Sequence, residues 1–153
     1  MGGFETISDT SEVTDSSLRN LVGYRMKRAF NALRADLTET LEPFGLRMLT
    51  YSALAIIVEN PGLRPSQLAE ALSVERTNVV VYVGQLEQAG WVERVPCPAD
   101  RRAYALHCTA AGRQVYDRAQ AEVRTHDNRM LKGLTEDEIA TVQKALTLME
   151  QSA

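Results

Sequence analysis

Val74-Glu75-Arg76-Thr77-Asn78-Val79-Val80-Val81-Tyr82-Val83-Gly84-Gln85-Leu86-Glu87-Gln88-Ala89-Gly90-Trp91 carries two opposed signals. The run from Val79 to Val83 is β-branched and aromatic, and local propensity alone makes it a strand. Val79, Val83 and Leu86, however, fall at i, i+4 and i+7, on one face of a helix, and Gly90 is a helix-ending residue. The flanking segments decide for a helix. Upstream, Asn60-Pro61-Gly62 is a strong stop, and Pro65 stands where a first helical residue belongs. A short helix then turns Leu68, Ala69 and Leu72 inward, and Ser73-Val74 makes a tight link. Downstream, Trp91 to Val95 alternates like a strand, Cys97 to Arg102 is a turn, and Tyr104 to Cys108 returns, which predicts a β-hairpin.

Further out, the periodicity is helical on both sides. Asp15 or Ser16 is placed to cap a helix reaching Leu41, with Leu18, Val22, Met26, Ala29, Leu33 and Leu37 as its apolar stripe, and Pro43 and Gly45 stop it. A second helix runs to Glu59 with Tyr51, Leu54, Ala55 and Val58 on one face. After the hairpin, Thr109 caps a helix over about Ala110 to Leu131, with Val115, Tyr116, Ala119, Val123 and Met130 on one side. Gly133 ends it, and Thr135-Glu136-Asp137-Glu138 is a capping box before a helix carrying Ile139, Val142, Leu146 and Met149. The fold class is mainly α with a small β-hairpin wing: a winged helix-turn-helix with helical extensions. The expected organisation is a flexible N-terminus over 1–14, a helix over 15–44, a winged lobe over 45–109 and two terminal helices over 110–153.

Composition narrows the function. The chain has 153 residues, 44% apolar and 24% charged, the profile of a single globular domain with helical extensions. Its first residues are polar and acidic, unlike a secretory leader, and the apolar window Leu46 to Val58 is too short to span a bilayer. The expectation is a cytoplasmic protein with no membrane contact. The net charge is −3, and residues 61–109 hold 5 basic against 5 acidic groups, so bulk charge does not bind this chain to nucleic acid. Cys97 and Cys108 are too few for a disulfide scaffold, and a hairpin turning near Arg101 pairs residue 97 with about 104 or 105, not with 108. His107 and His126 have no ligand-type neighbours in sequence, so no metal site is expected. There is no nucleophile–base pair and no glycine-rich phosphate loop, so neither an enzyme nor a cofactor is expected.

Three stretches resemble the MarR family of transcription regulators. Asn60-Pro61-Gly62-Leu63 with Ser66-Gln67-Leu68-Ala69 is similar to the family's entry into the first helix of the motif. Val74 to Val79, then Leu86-Glu87-Gln88-Ala89-Gly90-Trp91-Val92, is similar to its recognition helix and the exit into the wing. Asp100-Arg101-Arg102, then Thr109-Ala110-Ala111-Gly112, is similar to its Asp-x-Arg wing and the Leu-Thr-x-x-Gly that follows. The likeness spans about residues 20–150. Two departures stand out: Arg64 occupies a position where a Ser or Thr cap is usual, and Cys108 replaces the Leu before Thr109.

With Val79, Val83 and Leu86 inward, the outward face of the recognition helix holds Thr77, Val81, Gly84, Gln85 and Gln88, with Asn78 and Val80 at its edges. Asn78 and Gln85 suit adenine edges; Thr77, Val80 and Val81 suit thymine methyls; Arg76 suits a base or a phosphate. Ser66, opening the first motif helix, joins this set. Arginines on a tight hairpin suit a narrow minor groove. The resemblance implies that Arg102 enters it with Asp100 as its brace, leaving Arg101 and Arg94 as phosphate contacts. It also implies a homodimer through the terminal helices, double-stranded DNA with a pseudo-palindromic operator as partner, and a pocket between the dimer layer and the lobe. Tyr24, Arg28, Phe44, Met48, Tyr51 and Arg64 are the pocket candidates, and aromatics with arginines suit a small aromatic acid or its acyl-CoA thioester. The expected function is a ligand-responsive DNA-binding repressor; the alternative is a dimeric small-molecule-binding protein or anti-repressor without DNA-binding activity.

Overall fold

The computed structural model describes residues 13–152, with Arg101 described by its backbone only. The element order is α1 (Val22–Leu41), a 3-10 turn (Glu42–Phe44), α2 (Met48–Glu59), α3 (Pro65–Leu72), α4 (Arg76–Gln88), β1 (Val92–Cys97), β2 (Asp100–Cys108), α5 (Ala110–Leu131) and α6 (Glu136–Glu150). The fold is mainly helical with a two-strand antiparallel wing. It divides into two compact units, one ending at Leu33 and the other beginning at Arg34. The expected flexible segment 1–14 lies, except for its last two residues, outside the described residues.

In the first unit the helix starts later than the sequence predicts. Residues 16–20 form turns, and α1 begins at Val22. The reason lies in Asp15. Its carbonyl accepts from the Leu18 and Arg19 N–H groups at 2.9 and 3.2 Å, and its carboxylate takes the Tyr24 hydroxyl at 2.5 Å and Arg19 Nε at 2.6 Å. A carboxylate so engaged anchors a turn instead of capping a helix. The Tyr24 hydroxyl first, and then Arg19, hold its carboxyl below the usual aspartate range.

In the second unit α2 is the central helix. Ala53, Leu54 and Ile57 are fully buried, and Tyr51, Ala55, Ile56 and Val58 pack at the margin of the same core. The predicted stripe of Tyr51, Leu54, Ala55 and Val58 is therefore only part of what α2 covers. Thr50, a buried hydroxyl, is satisfied by donating to the Arg47 carbonyl at 3.1 Å and accepting from the Arg47 N–H at 2.9 Å. The same core takes in Leu68 and Ala69 of α3, Val79, Val83 and Leu86 of α4, and Val92 and Leu106 of the wing. Val79, Val83 and Leu86 are each 1% exposed, which settles the conflict in the valine run: burying one helical face outweighs a propensity difference of about 1 kcal/mol.

Pro65 opens α3 as predicted, and with Arg64 unable to cap it the Gln67 Oε1 accepts from the Arg64 N–H at 3.0 Å. Ser73 closes α3 with φ of 53°, the left-handed conformation that makes the link to α4 tight.

The wing departs from expectation at its tip. β2 begins at Asp100 and not at Tyr104, β1 runs to Cys97, and Cys97 pairs with Asp100 while Pro96 pairs with Tyr104. A register shift between Pro96 and Cys97 absorbs the difference, and proline, lacking an N–H, suits that break. Cys108 pairs with Val92 at the other end of the hairpin, and both cysteines are free. Leu63 adds an antiparallel bridge to Leu106: the Leu63 carbonyl accepts from the Leu106 N–H at 2.8 Å, and the Gly62 N–H donates to the Leu106 carbonyl at 2.9 Å.

α5 covers the predicted span. Tyr116 and Ala119 are buried, but Met130 is 36% exposed and leaves the predicted stripe, while His126 enters it at 4%. The His126 Nε2 lies 3.2 Å from the Asp36 carboxylate without hydrogen-bonding alignment, and Arg129 binds the same oxygen. α6 opens with the predicted capping box: Thr135 accepts from the Glu138 N–H at 3.3 Å and Glu138 accepts from the Thr135 N–H at 2.8 Å. None of its residues is buried.

Among the described glycines, Gly112 at the start of α5 has the closest backbone neighbour. A Cβ on Gly112 would lie 2.1 Å from the Trp91 carbonyl oxygen, which is backbone and cannot step aside. Gly112→Ala therefore overpacks the junction and destabilises the fold by about 1–3 kcal/mol in urea unfolding, whereas Gly84→Ala, with open space at its Cβ, costs nothing measurable or stabilises its helix.

Candidate nucleic-acid interface

α4 presents one face to the core and another to solvent. Arg76, Thr77, Asn78, Val80, Val81, Gln85 and Gln88 are exposed, Val80 and Val81 at 57% and 53%. Two adjacent valines half or more in water on a helix beside a full core have no packing role. Gly84, predicted outward, is half-buried. Ser66, Arg76 and Asn78 meet along an open groove of about 800 Å³ between α3 and α4, which Gln67, Glu70 and Glu75 also line.

The wing places its predicted residues differently from one another. Asp100 braces the tip through the backbone: its Oδ1 accepts from the Arg102 N–H at 2.9 Å, a local turn bond that leaves the exposed Arg102 guanidinium outside the brace. Arg94 is held elsewhere. Its Nε lies 2.8 Å from Glu87 Oε2 at the end of α4, and its guanidinium carbon lies 4.6 Å from the centre of the Tyr104 ring. Glu87 and Tyr104 were not among the sequence candidates, because a pair seven residues apart across a helix end leaves no periodic mark. Nothing is described of the Arg101 side chain.

The pocket candidates fall into two sets. Tyr24 and Arg28 belong to the first unit, where both approach Asp15, Arg28 Nη1 at 3.5 Å. Phe44, Met48, Tyr51 and Arg64 belong to the second, where Tyr51 stacks on Tyr116 at 6.1 Å between centroids and Arg118 lies 5.6 Å over Phe44. Burial lifts both tyrosine hydroxyls above their ordinary range, so both rings stay neutral. Sequence reading assigned Tyr116 to the core and missed Arg118, which sits on an exposed helix face with no cue of its own. Burial also raises the Cys108 thiol, which donates to the Thr109 carbonyl at 3.3 Å, so this sulfur is a packing atom and not a reactive thiolate. No group of three metal-type ligands occurs among the described residues.

These features define a winged helix-turn-helix protein with an exposed recognition helix. Residues 44–103 match the MarR family model. The chain is 34% identical over 139 residues to the putative transcriptional regulatory protein for the hcr operon of Thauera aromatica, covering 88% of this chain and 82% of that one. Among solved structures, the transcriptional repressor CouR bound to a 23-mer DNA duplex superposes with a TM-score of 0.87 at 30% identity, covering 92% of this chain and 99% of that one. CouR from Rhodococcus jostii bound to p-coumaroyl-CoA gives 0.79 at 26% identity, covering 86% and 93%. The chain belongs to the MarR family: it is a winged helix-turn-helix DNA-binding transcriptional repressor, not an enzyme. Among the described residues no single helix is long and apolar enough to cross a membrane.

The wing-tip brace depends on an acceptor and not on charge. Asp100→Ala therefore speeds hydrogen exchange at the Arg102 amide, while Asp100→Asn, which keeps an Oδ1 acceptor, leaves it protected.

Proposed function

We propose that the chain represses transcription in the cytoplasm as a homodimer seated on a pseudo-palindromic operator, and leaves it when an aromatic carboxylate or its acyl-CoA thioester binds. The exposed face of α4 is the observation that carries the DNA half. Asn78 and Gln85 read adenine edges, Thr77, Val80 and Val81 contact thymine methyls, and Arg76 and Ser66 contact bases or phosphates beside them. Arg102 reaches the flanking minor groove, where narrowness favours guanidinium groups, and Arg101 contacts a phosphate beside it. The dimer is supported by α6, whose Val142, Leu146 and Met149 are 45%, 40% and 43% exposed, and by Leu18, Leu21, Val22 and Phe30 of the first unit, each more than 40% exposed. Two inverted half-sites then follow from two-fold symmetry.

The experiment is selection of a duplex from a random-sequence library, followed by sedimentation of the complex and binding of variants. One dimer per duplex is expected. Asn78→Ala or Gln85→Ala lowers discrimination against a mutated half-site by about 1–3 kcal/mol per contact, whereas Arg102→Ala weakens binding to matched and mutated duplexes alike. Selection of no duplex contradicts the DNA-binding reading and favours a small-molecule-binding protein.

For the effector, the stacked Tyr51 and Tyr116 with Phe44 and Arg118 supply aromatic faces and a cation within one unit, and Met48 and Arg64 lie on the elements beside them. The p-coumaroyl-CoA bound by a structural relative is a molecule of the same chemistry. Release requires the ligand to prefer the form that does not fit DNA, and every ~1.4 kcal/mol of preference lowers operator affinity tenfold. Titration of hydroxycinnamates, benzoates and their CoA thioesters by calorimetry and gel shift is expected to give binding that weakens in Arg118→Ala or Arg64→Ala and that lowers operator affinity in the parent. Binding without loss of operator affinity contradicts an effector-released repressor.

A further inference from the structure

Arg94 is the one wing arginine whose guanidinium is described in contact with other side chains, and those contacts join two elements that must act together. β1 and β2 pair Arg94 with Leu106, so Arg94 shares a face of the hairpin with Leu106 and, diagonally, with Tyr104. Leu106 on that face is fully buried, so the face looks toward the body of the second unit. There the Arg94 Nε meets Glu87 Oε2 at 2.8 Å, and its guanidinium carbon stands 4.6 Å from the Tyr104 ring centre. Glu87 is in the last turn of α4, whose exposed face is the DNA reader. Tyr104 is half-buried, packs on the core and lies in β2 opposite Pro96, where the wing's register shifts.

We propose that Arg94 is a positioning residue: with Glu87 and Tyr104 it sets the angle of the wing against the recognition helix, and it is not itself a phosphate contact. The assignment rests on the DNA-binding reading above. As a stability device the pair counts for little, since the two side chains keep 35% and 29% of their exposure and water screens them. Its value is geometric. The foot of the hairpin is already held by the Thr109 bonds to Gly90 and Trp91 and by the Leu63–Leu106 bridge, so what other contacts must set is the angle to α4 of the stretch from Arg94 to the tip. A guanidinium ion-paired through Nε with a carboxylate on the helix and set over a ring in the far strand ties that stretch at two points. Arg102 at the tip then meets the minor groove in register with Asn78 and Gln85 in the major groove.

The two roles make opposite predictions for Glu87. If Arg94 contacts a phosphate, Glu87→Gln frees that arginine and removes a negative charge, and affinity holds or rises. If Arg94 is the strut, Glu87→Gln loosens the wing and weakens binding roughly tenfold, as does Arg94→Gln, and the double variant is no worse than either single one. The probe is the duplex the parent chain selects from a random-sequence library, read by gel shift and hydroxyl-radical footprinting, with thermal unfolding showing that each variant is folded. The expected footprint loses protection in the flanking minor grooves and keeps it in the major grooves read by α4, and the exchanged pair Glu87→Arg with Arg94→Glu recovers part of both affinity and flank protection. Arg94→Lys, offering a cation without the planar face, supplies a folded variant of intermediate affinity. The proposal is overturned if Glu87→Gln binds as tightly as the parent or tighter, if both singles are neutral, or if protection falls evenly along the duplex. If the parent selects no duplex, the DNA-binding reading has failed, which is a different result from any of these.

Discussion

Thr109 joins three elements at one point. Its N–H donates to the Trp91 carbonyl at 3.0 Å, its hydroxyl donates to the Gly90 carbonyl at 2.7 Å, and the same oxygen accepts from the Gly112 N–H at 3.0 Å. The end of α4, the foot of the wing and the first turn of α5 are thereby fixed to one another by a single side chain. Gly112 completes the joint by leaving room for the Trp91 backbone where any Cβ would collide. Neither residue is on the exposed face of α4, yet both help to set where that face points. The sequence motif of a threonine three residues before a glycine is thus a packing constraint before it is a signature.

The same economy explains the composition of α4. A helix containing five β-branched or aromatic residues in a row is a poor helix in isolation. It forms because Val79, Val83 and Leu86 complete a core built around α2, and that burial outweighs the local preference. What remains of the run, Val80 and Val81, is left in water, where hydrophobic side chains contribute nothing to folding. The helix therefore carries on one face β-branched residues that its own packing does not use. Such a conflict between local and global preference is what a binding face leaves in a sequence.

Most of the architecture was legible because it rests on signals that repeat or punctuate: helical spacing, Pro65 at a helix start, the Thr135–Glu138 box, glycines at exits. The parts that escaped are single events. The turn at 16–20 follows from one carboxylate, Asp15, preferring Arg19 and Tyr24 to a cap. The Leu63–Leu106 bridge is one residue long and has no alternation to betray it. The wing tip is set by a register shift after Pro96, and a symmetric turn count cannot see a shift. His126, read as structural, is buried against Asp36 some ninety residues earlier, and no local pattern connects them. At the candidate site, the exposed face of α4 was legible, but the wing was not: the sequence marks Arg94 and Arg102 alike as wing arginines, and only the fold separates one paired with Glu87 from one left outward.

This rigidity bears on how a small molecule could act at a distance. Tyr116 sits one turn beyond Gly112 on α5 and stacks on Tyr51 of the central helix α2. A ligand that displaced Tyr116 from Tyr51 would move α5 against α2. The N-terminus of α5 has no slack in which to absorb that motion, because the Gly112–Trp91 contact and the Thr109 bonds leave no room to slide. The displacement would then pass to Gly90, Trp91 and the wing as a rotation of the reading surface and not as local disorder. Packed junctions with discrete arrangements transmit in this way, whereas soft ones dissipate. A joint this tight couples the tyrosine pair to the angle between the wing and α4, which a soft joint would not.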